Sequence, residues 1–377
     1  MDFNSVKEDI MVYEYFRRGI NLGGWISQYE FIARQPLTDE HLSQHFETFI
    51  QEKDLRQIAS WGFDHVRLPI SGYLLYDVEQ DRLDDRALQY VRRCIDWCRS
   101  CQLNIVLDLH DIYGNVYGAM EEPMPLLTEE VLQNRFVRVW DLMAREFQDV
   151  TDIKVMFELL NEVSDASGAY PFTDVAGRQY DLSHAGDFLW NQLYRKCIAR
   201  IRSIDADRWI LVGSNGQNSV VYLKELDIVD DPHVFYNFHY YDPQVFTHQQ
   251  AGFSEEMSEF DREVHYPDNI SGFVTYLNAH PDWKRKHALV AEETSNDRDL
   301  MERLLQHAAD FIRETGRELY CGEFGVIAHA PAEAAKGWVK DLTAIFDRNH
   351  IGCALWNYKY LDFGLLDLDG APCSSLI

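Results

Sequence analysis

Lys154-Val-Met-Phe-Glu-Leu-Leu-Asn-Glu162 reads as a short apolar strand that stops on a carboxylate. Glu318-Leu-Tyr-Cys-Gly-Glu323-Phe-Gly325 repeats the pattern, with its glutamate 161 residues further on. A carboxylate at the open end of a buried strand is costly unless it has a task. Two of them so far apart in sequence meet only if their strands belong to one closed sheet. The reaction that most needs such a pair is glycoside hydrolysis.

Working outward, the same form recurs. β-like runs cover Arg18 to Leu22, His65 to Leu68, Asn104 to Leu109, Lys154 to Leu159, Trp209 to Val212, Val234 to His239, Leu319 to Phe324 and Gly352 to Trp356, eight in all. Helical patterns lie between them, as in Asp84 to Cys101, Glu129 to Phe147, Asp187 to Ile204, Arg298 to Glu314 and Ala332 to Asn349. Eight alternations without a linker or composition break predict an α/β fold, a single (β/α)8 barrel over residues 1–377. The competing doubly wound sheet predicts an early Gly-rich loop leading into a helix, and the sequence has none. Tyr240 to Asn296, with His248, Phe253, Tyr266 and Trp283, is too long for a simple connection and reads as an irregular loop excursion after strand six. Only Asn357 to Ile377 follow strand eight, with Gly364, Gly370 and Pro372, so the last helix is expected to be short or missing.

Composition narrows the partners. The net charge of −27 repels phosphate backbones and anionic membranes, so neither nucleic acid nor membrane is expected. Acidity also serves plain solubility. The 50 aromatic residues suit stacking on sugar rings and fit an aromatic-rich core equally well. The first residues, Met1 to Asp9, lack a basic segment followed by an apolar one, and no run approaches the roughly 20 apolar residues that cross a bilayer. Seven cysteines, an odd number mostly inside apolar segments, favour free thiols. The expectation is a cytoplasmic protein, although a secreted chain trimmed of its leader would look the same at its start. Oligomeric state is not legible.

Barrel enzymes place their chemistry at the C-terminal ends of the strands. By this reading strand two ends with Arg67, strand three with His110 beside Asp111, strand four with Asn161 and Glu162, strand six with His239 and then Tyr241, strand seven with Glu323, and strand eight with Trp356 and Asn357. A random assortment of loop caps would not be so rich in Arg, His and Glu.

With those segments in hand, the chain resembles glycoside hydrolase family 5, the cellulase-like retaining β-glycosidases. The matching stretches are Arg18-Gly-Ile-Asn-Leu-Gly-Gly-Trp25, Val66-Arg-Leu-Pro69, Leu107-Asp-Leu-His110, Glu158-Leu-Leu-Asn-Glu162, Phe238-His-Tyr-Tyr241, Gly322-Glu-Phe-Gly325 and Ala354-Leu-Trp356. They span nearly the whole chain in the family's order, and the first is closest to the exo-β-1,3-glucanase-like branch. Val163 departs from the pattern, since many members have Pro after the Asn-Glu pair.

The resemblance implies roles. Glu162 matches the acid/base and Glu323 the nucleophile. Arg67 and Tyr241 match the groups that keep the nucleophile ionised. Asn161 matches the contact to the sugar 2-hydroxyl, His110 and His239 flank that sugar, and Trp356 matches its aromatic floor. No metal and no cofactor are implied. Glu158 reads as a supporting residue one step behind the site, and Trp25, Tyr29, Glu30 and Asn115 read more readily as loop packing than as substrate contacts.

The implied substrates are β-glucosides or short β-glucan oligosaccharides, with β-mannosides as the main rival. The long excursion is expected to close one end of the cleft. Two other functions fit less well. A silent carbohydrate-binding barrel needs no acid/base pair, and a metal-dependent barrel hydrolase lacks the paired-His motif on strand one. Cys94-x3-Cys98-x2-Cys101 has the spacing of an iron–sulfur ligand set in radical S-adenosylmethionine enzymes. Here Leu88, Val91, Ile95 and Cys98 recur at helical spacing, so the cysteines read as small hydrophobes on an amphipathic helix.

Overall fold

The computed structural model describes residues 11–115, 124–163, 171–173, 179–181, 185–374 and 376. The leader reading of Met1 to Asp9 and most of the loop that follows Val163 fall outside them. The core is a closed barrel of eight parallel strands: β1 (Arg18–Asn21), β2 (His65–Ser71), β3 (Asn104–Asp111), β4 (Val155–Glu158), β5 (Trp209–Gly213), β6 (Val234–Tyr240), β7 (Leu319–Phe324) and β8 (Gly352–Leu355). Each pairs with its sequence neighbours and β8 closes on β1, Arg18 opposite Cys353. The barrel itself therefore has no edge strand.

Alternation along the strands builds the interior in layers. Val106, Met156, Leu211, Phe235, Tyr320 and Ala354 form an apolar lower layer, sealed from below by Val12, Phe16 and Trp209. Two residues further along the same strands the inward positions change character, to Asp108, Glu158, Asn237 and Gly322. Arg67 and Asn21 join them from β2 and β1. The apolar layer anchors the barrel, and the polar layer above it faces the open end.

Helices cover the outside. The pattern over Asp84 to Cys101 forms as a helix over Asp85–Cys101, capped by the Asp84 side chain accepting from the Arg86 backbone N–H. Cys94 and Cys98 are buried on its inner face, as small hydrophobes and not as a ligand loop. The helix expected over Arg298 to Glu314 is two, Arg298–Leu304 and Gln306–Thr315, broken at Leu305. The excursion is more ordered than its sequence implies. It holds short helices at Gln244–Thr247, Glu255–Phe260, Ser271–Ala279 and Pro281–Lys286, packed through Met257, Val264, Phe273 and Leu277. Each helix is too short to show periodicity, which is why the stretch reads as irregular. After β8 the described residues contain no helix.

Candidate active site

Arg67 is the hub. It is not at the end of β2 as expected but third of seven residues in it. Pro69 stays in register opposite Asp108, and the strand runs on to Ser71, three residues past the expected end at Leu68. The Arg67 side chain is therefore inside the barrel and 0% exposed. Its Nε and Nη2 donate to Glu158 at 2.6 and 2.9 Å, and Nη1 donates to Glu323 Oε1 at 2.8 Å. Further bonds reach Asn21 Oδ1 at 2.9 Å and Asn161 Oδ1 at 2.8 Å, with Asp108 Oδ2 3.0 Å from Nη2. Burial alone would lower this guanidinium's pKa; Asp108, Glu158 and Glu323 outweigh it and hold the charge in place.

One fixed cation among three carboxylates cannot neutralise them all. Burial pushes Asp108 up to about 7 and Glu158 also upward, against the pull of Arg67. Asp108 Oδ2 lies 2.7 Å from His110 Nδ1, and burial keeps that imidazole neutral. His110 stacks on Trp356 with ring centres 5.7 Å apart and planes 5° from parallel.

Glu323 owes its aim to a bulge. By alternation from Tyr320, the residues facing inward would be Gly322 and Phe324. The pairing of β6 with β7 jumps from Phe238–Cys321 to His239–Glu323, leaving Gly322 unpaired and turning Glu323 into the barrel. Its second oxygen accepts from the Tyr241 hydroxyl at 3.0 Å. Gly322 has no room for a side chain: a Cβ there would stand 2.8 Å from Asn237 Nδ2.

Glu162 lies four residues beyond β4 and is turned inward by a left-handed backbone, φ 41°, unusual for a residue with a side chain. Its Oε1 is 2.9 Å from His239 Nδ1, and Asn218 Nδ2 is 3.1 Å from Nε2 of the same ring. With that amide as donor, the ring proton sits on Nδ1 and points at Glu162. Burial lowers His239 to about 4, so the ring is neutral. Burial also raises Glu162 to about 7, although its side chain keeps 21% exposure toward the cleft.

An oxygen of Glu162, an oxygen of Glu323 and a ring nitrogen of His239 lie within 4.8 Å of one another. That is the close carboxyl spacing of a double displacement; an inverting pair stands about 6.5–9.5 Å apart to admit water. The same residue types could ligate a divalent ion. Here, however, both Glu323 oxygens and both His239 nitrogens are already engaged by Arg67, Tyr241, Glu162 and Asn218.

The family model for cellulase (glycosyl hydrolase family 5) matches residues 33–362. The chain belongs to glycosyl hydrolase family 5. It is 35% identical to Endoglucanase C of Acetivibrio thermocellus, over 95% of this chain and 96% of that one. It is 31% identical to Cellodextrinase A of Ruminococcus flavefaciens, over 89% and 83%. A Glucan 1,3-beta-glucosidase of Blumeria graminis is 30% identical over 43% of this chain and 42% of its own. The Cel5A structure of Thermotoga maritima with cellobiose superposes with a TM-score of 0.69 at 21% identity, covering 97% of both chains, which is a likeness of fold. As a family 5 glycoside hydrolase, this protein is a retaining β-glycosidase acting on β-glycans.

All eight site residues expected from the sequence converge in this enzyme. Of those read as packing, Trp25 is buried and donates to the Phe46 carbonyl at 2.8 Å, and the Asn115 amide reaches the Asn161 carbonyl at 3.4 Å. Sequence reasoning assigned nothing to Asn21, Asp108, Asn218 and Asn237. Asn237 donates to Glu158 Oε1 and accepts from the Gly322 N–H, both at 2.7 Å; Asn21 binds the Gly322 carbonyl at 3.0 Å. The available signal was an amide inside an apolar run, as in Phe235-Tyr-Asn237-Phe.

Proposed function

We propose that the enzyme cleaves β-glucosidic bonds of short β-glucan oligosaccharides, with Glu323 as nucleophile and Glu162 as acid/base. In the first step a Glu323 oxygen forms a bond to the anomeric carbon. The bond from that carbon to the leaving oxygen breaks as Glu162 gives it a proton. In the second step Glu162 takes a proton from water, whose oxygen displaces Glu323 from the sugar. The observation that carries this reading is the different setting of two adjacent carboxyls. Arg67 and Tyr241 donate one to each oxygen of Glu323 and fix its position, while burial favours the protonated form of Glu162. Asn161, fixed by Arg67, and His110, stacked on Trp356, are proposed to frame the reacting sugar. The glucan preference rests on the relatives, which carry the names endoglucanase, cellodextrinase and glucan 1,3-beta-glucosidase. A cytoplasmic site of action is proposed on the seven free thiols, five of them buried.

The test is a pair of variants on nitrophenyl and dinitrophenyl β-glucosides. Glu323→Ala should lose about 10⁴-fold or more on both. Glu162→Ala should lose heavily on alkyl and sugar leaving groups and far less on dinitrophenolate, which departs without a proton. Equal losses for the two variants on every leaving group would refute the assignment. Faster cleavage of long polymer than of oligomers would refute the substrate.

A further inference from the structure

Among the described residues the exposed aromatic side chains are Phe31, Tyr73, Tyr222, Phe253 and Tyr360, and all five lie in segments that leave the C-terminal ends of barrel strands. Strand C-terminal ends carry the active face of a barrel, so an exposed ring in such a segment can meet a ligand there. Phe253 is tied most directly to the chemistry. It is 57% exposed and stands in the excursion between the Gln244–Thr247 and Glu255–Phe260 helices. One side of its ring meets His248 at 5.9 Å and Phe363 at 6.5 Å between centres. Both of those rings meet Tyr241, at 5.0 and 5.8 Å, and Tyr241 bonds Glu323. Phe363 is seated by an unfavourable turn: Tyr360, Leu361 and Asp362 are consecutive left-handed residues, φ 58°, 52° and 58°, none of them glycine. Strained backbone of this kind gathers where the surrounding structure needs a side chain in a set place.

We infer that Phe253 is the platform of an outer subsite, stacking the C–H face of a β-glucan sugar beyond the one over Trp356. A single ring is far too small for a protein interface, which buries about 800 Å² per partner. It matches one pyranose. A chain of net charge −27 also selects a neutral ligand at its surface. The inference rests on the substrate reading above and adds a residue that family motifs do not contain, because it sits in the excursion.

The experiment compares kcat/KM on nitrophenyl β-glucoside with β-1,4- and β-1,3-glucan oligosaccharides of increasing length, for the parent, Phe253→Leu and Phe253→Tyr. Leucine keeps the apolar contact and loses the flat face; tyrosine keeps both. In Phe253→Leu the ratio of long-substrate to nitrophenyl activity should fall about five- to tenfold, through KM, and Phe253→Tyr should restore it. A loss equal on all substrates would make Phe253 a packing support for Tyr241 and overturn the subsite, as would no loss on any. If the parent cleaves nitrophenyl glucoside but no glucan oligomer, the substrate reading falls and the subsite with it. If the parent cleaves oligomers and the variants match it, the subsite alone falls.

Discussion

Arg67 grips Glu323 from inside the barrel, Nη1 to Oε1 at 2.8 Å, with a guanidinium that also makes a two-pronged bond to Glu158. The two residues come from strands β2 and β7, 256 positions apart. A lysine brings one compact charge and cannot serve Glu158, Glu323, Asn21 and Asn161 together. Arg67→Lys should lower kcat at least 100-fold and, by leaving buried carboxylates short of donors, cost about 3–5 kcal/mol of stability. Turnover and urea unfolding read these separately; a variant keeping a tenth of the parent activity would show that Arg67 is not needed to hold Glu323 in place.

The pH profile follows from Glu162. The acid must be protonated to act, and burial raises it to about 7. Activity on substrates with poor leaving groups should therefore fall tenfold per pH unit above about 7. With a dinitrophenyl leaving group that alkaline limb should vanish. A limb at the same pH for both substrates would assign it to another group.

Stability should carry the mark of the same carboxyl. A folded-state value raised above the ordinary 4.5 means that the folded protein holds the proton more tightly. Its contribution is thus present at low pH and lost as pH rises from about 4.5 through 7. Glu162→Gln removes the ionisation, so at pH 8 the variant should be more stable than the parent, by on the order of 2 kcal/mol. The gap should close by pH 5. Chemical unfolding at both values decides it, and a variant less stable at pH 8 would contradict the burial argument.

Asn237 supports both layers of the site. Asn237→Ala strands the Gly322 N–H and removes a donor from Glu158. We expect a loss of about 2–4 kcal/mol, together with a fall in kcat as the bulge that aims Glu323 relaxes. A destabilised variant with full kcat would separate the bulge from catalysis.

Gly23 leaves space for the aromatic floor. A Cβ at this position would stand 2.5 Å from Trp356 Cη2, so Gly23→Ala must displace the indole. KM for glycosides should rise, and the displaced indole should also lose its stack on His110 and lower the melting temperature. An unchanged KM would mean the indole is not a sugar contact.

Much of this enzyme is legible along the chain. The eight buried runs, the helix over Asp85–Cys101 and the residues Glu162, Glu323, His239 and Tyr241 announce themselves by apolar spacing and by polar groups where apolar runs stop, and Arg67 by its charge inside a run that continues past it. The excursion was not legible, because helices of a few residues are too short to show a periodic face and pack through contacts such as Phe260 on Phe273, which the linear pattern does not reveal. The amides Asn21, Asn218 and Asn237 were not assigned, because a buried amide has meaning only through its partners, and those come from other strands.

The sequence by itself determined the barrel. Eight short apolar runs with helical patterns between them, no linker and no early Gly-rich loop leave a closed barrel as the way to bury every strand. It also determined which residue types reach the open end. The tertiary structure alone decided how they act. Plain alternation would point Glu323 out of the barrel; the unpaired Gly322 turns it in, and only the register between β6 and β7 fixes that bulge. The left-handed turn at Glu162 brings the second carboxyl to the first. The raised pKa of Glu162 follows from burial, and the fixed aim of Glu323 from the donors on its two oxygens, properties of a space that the linear order of residues does not contain.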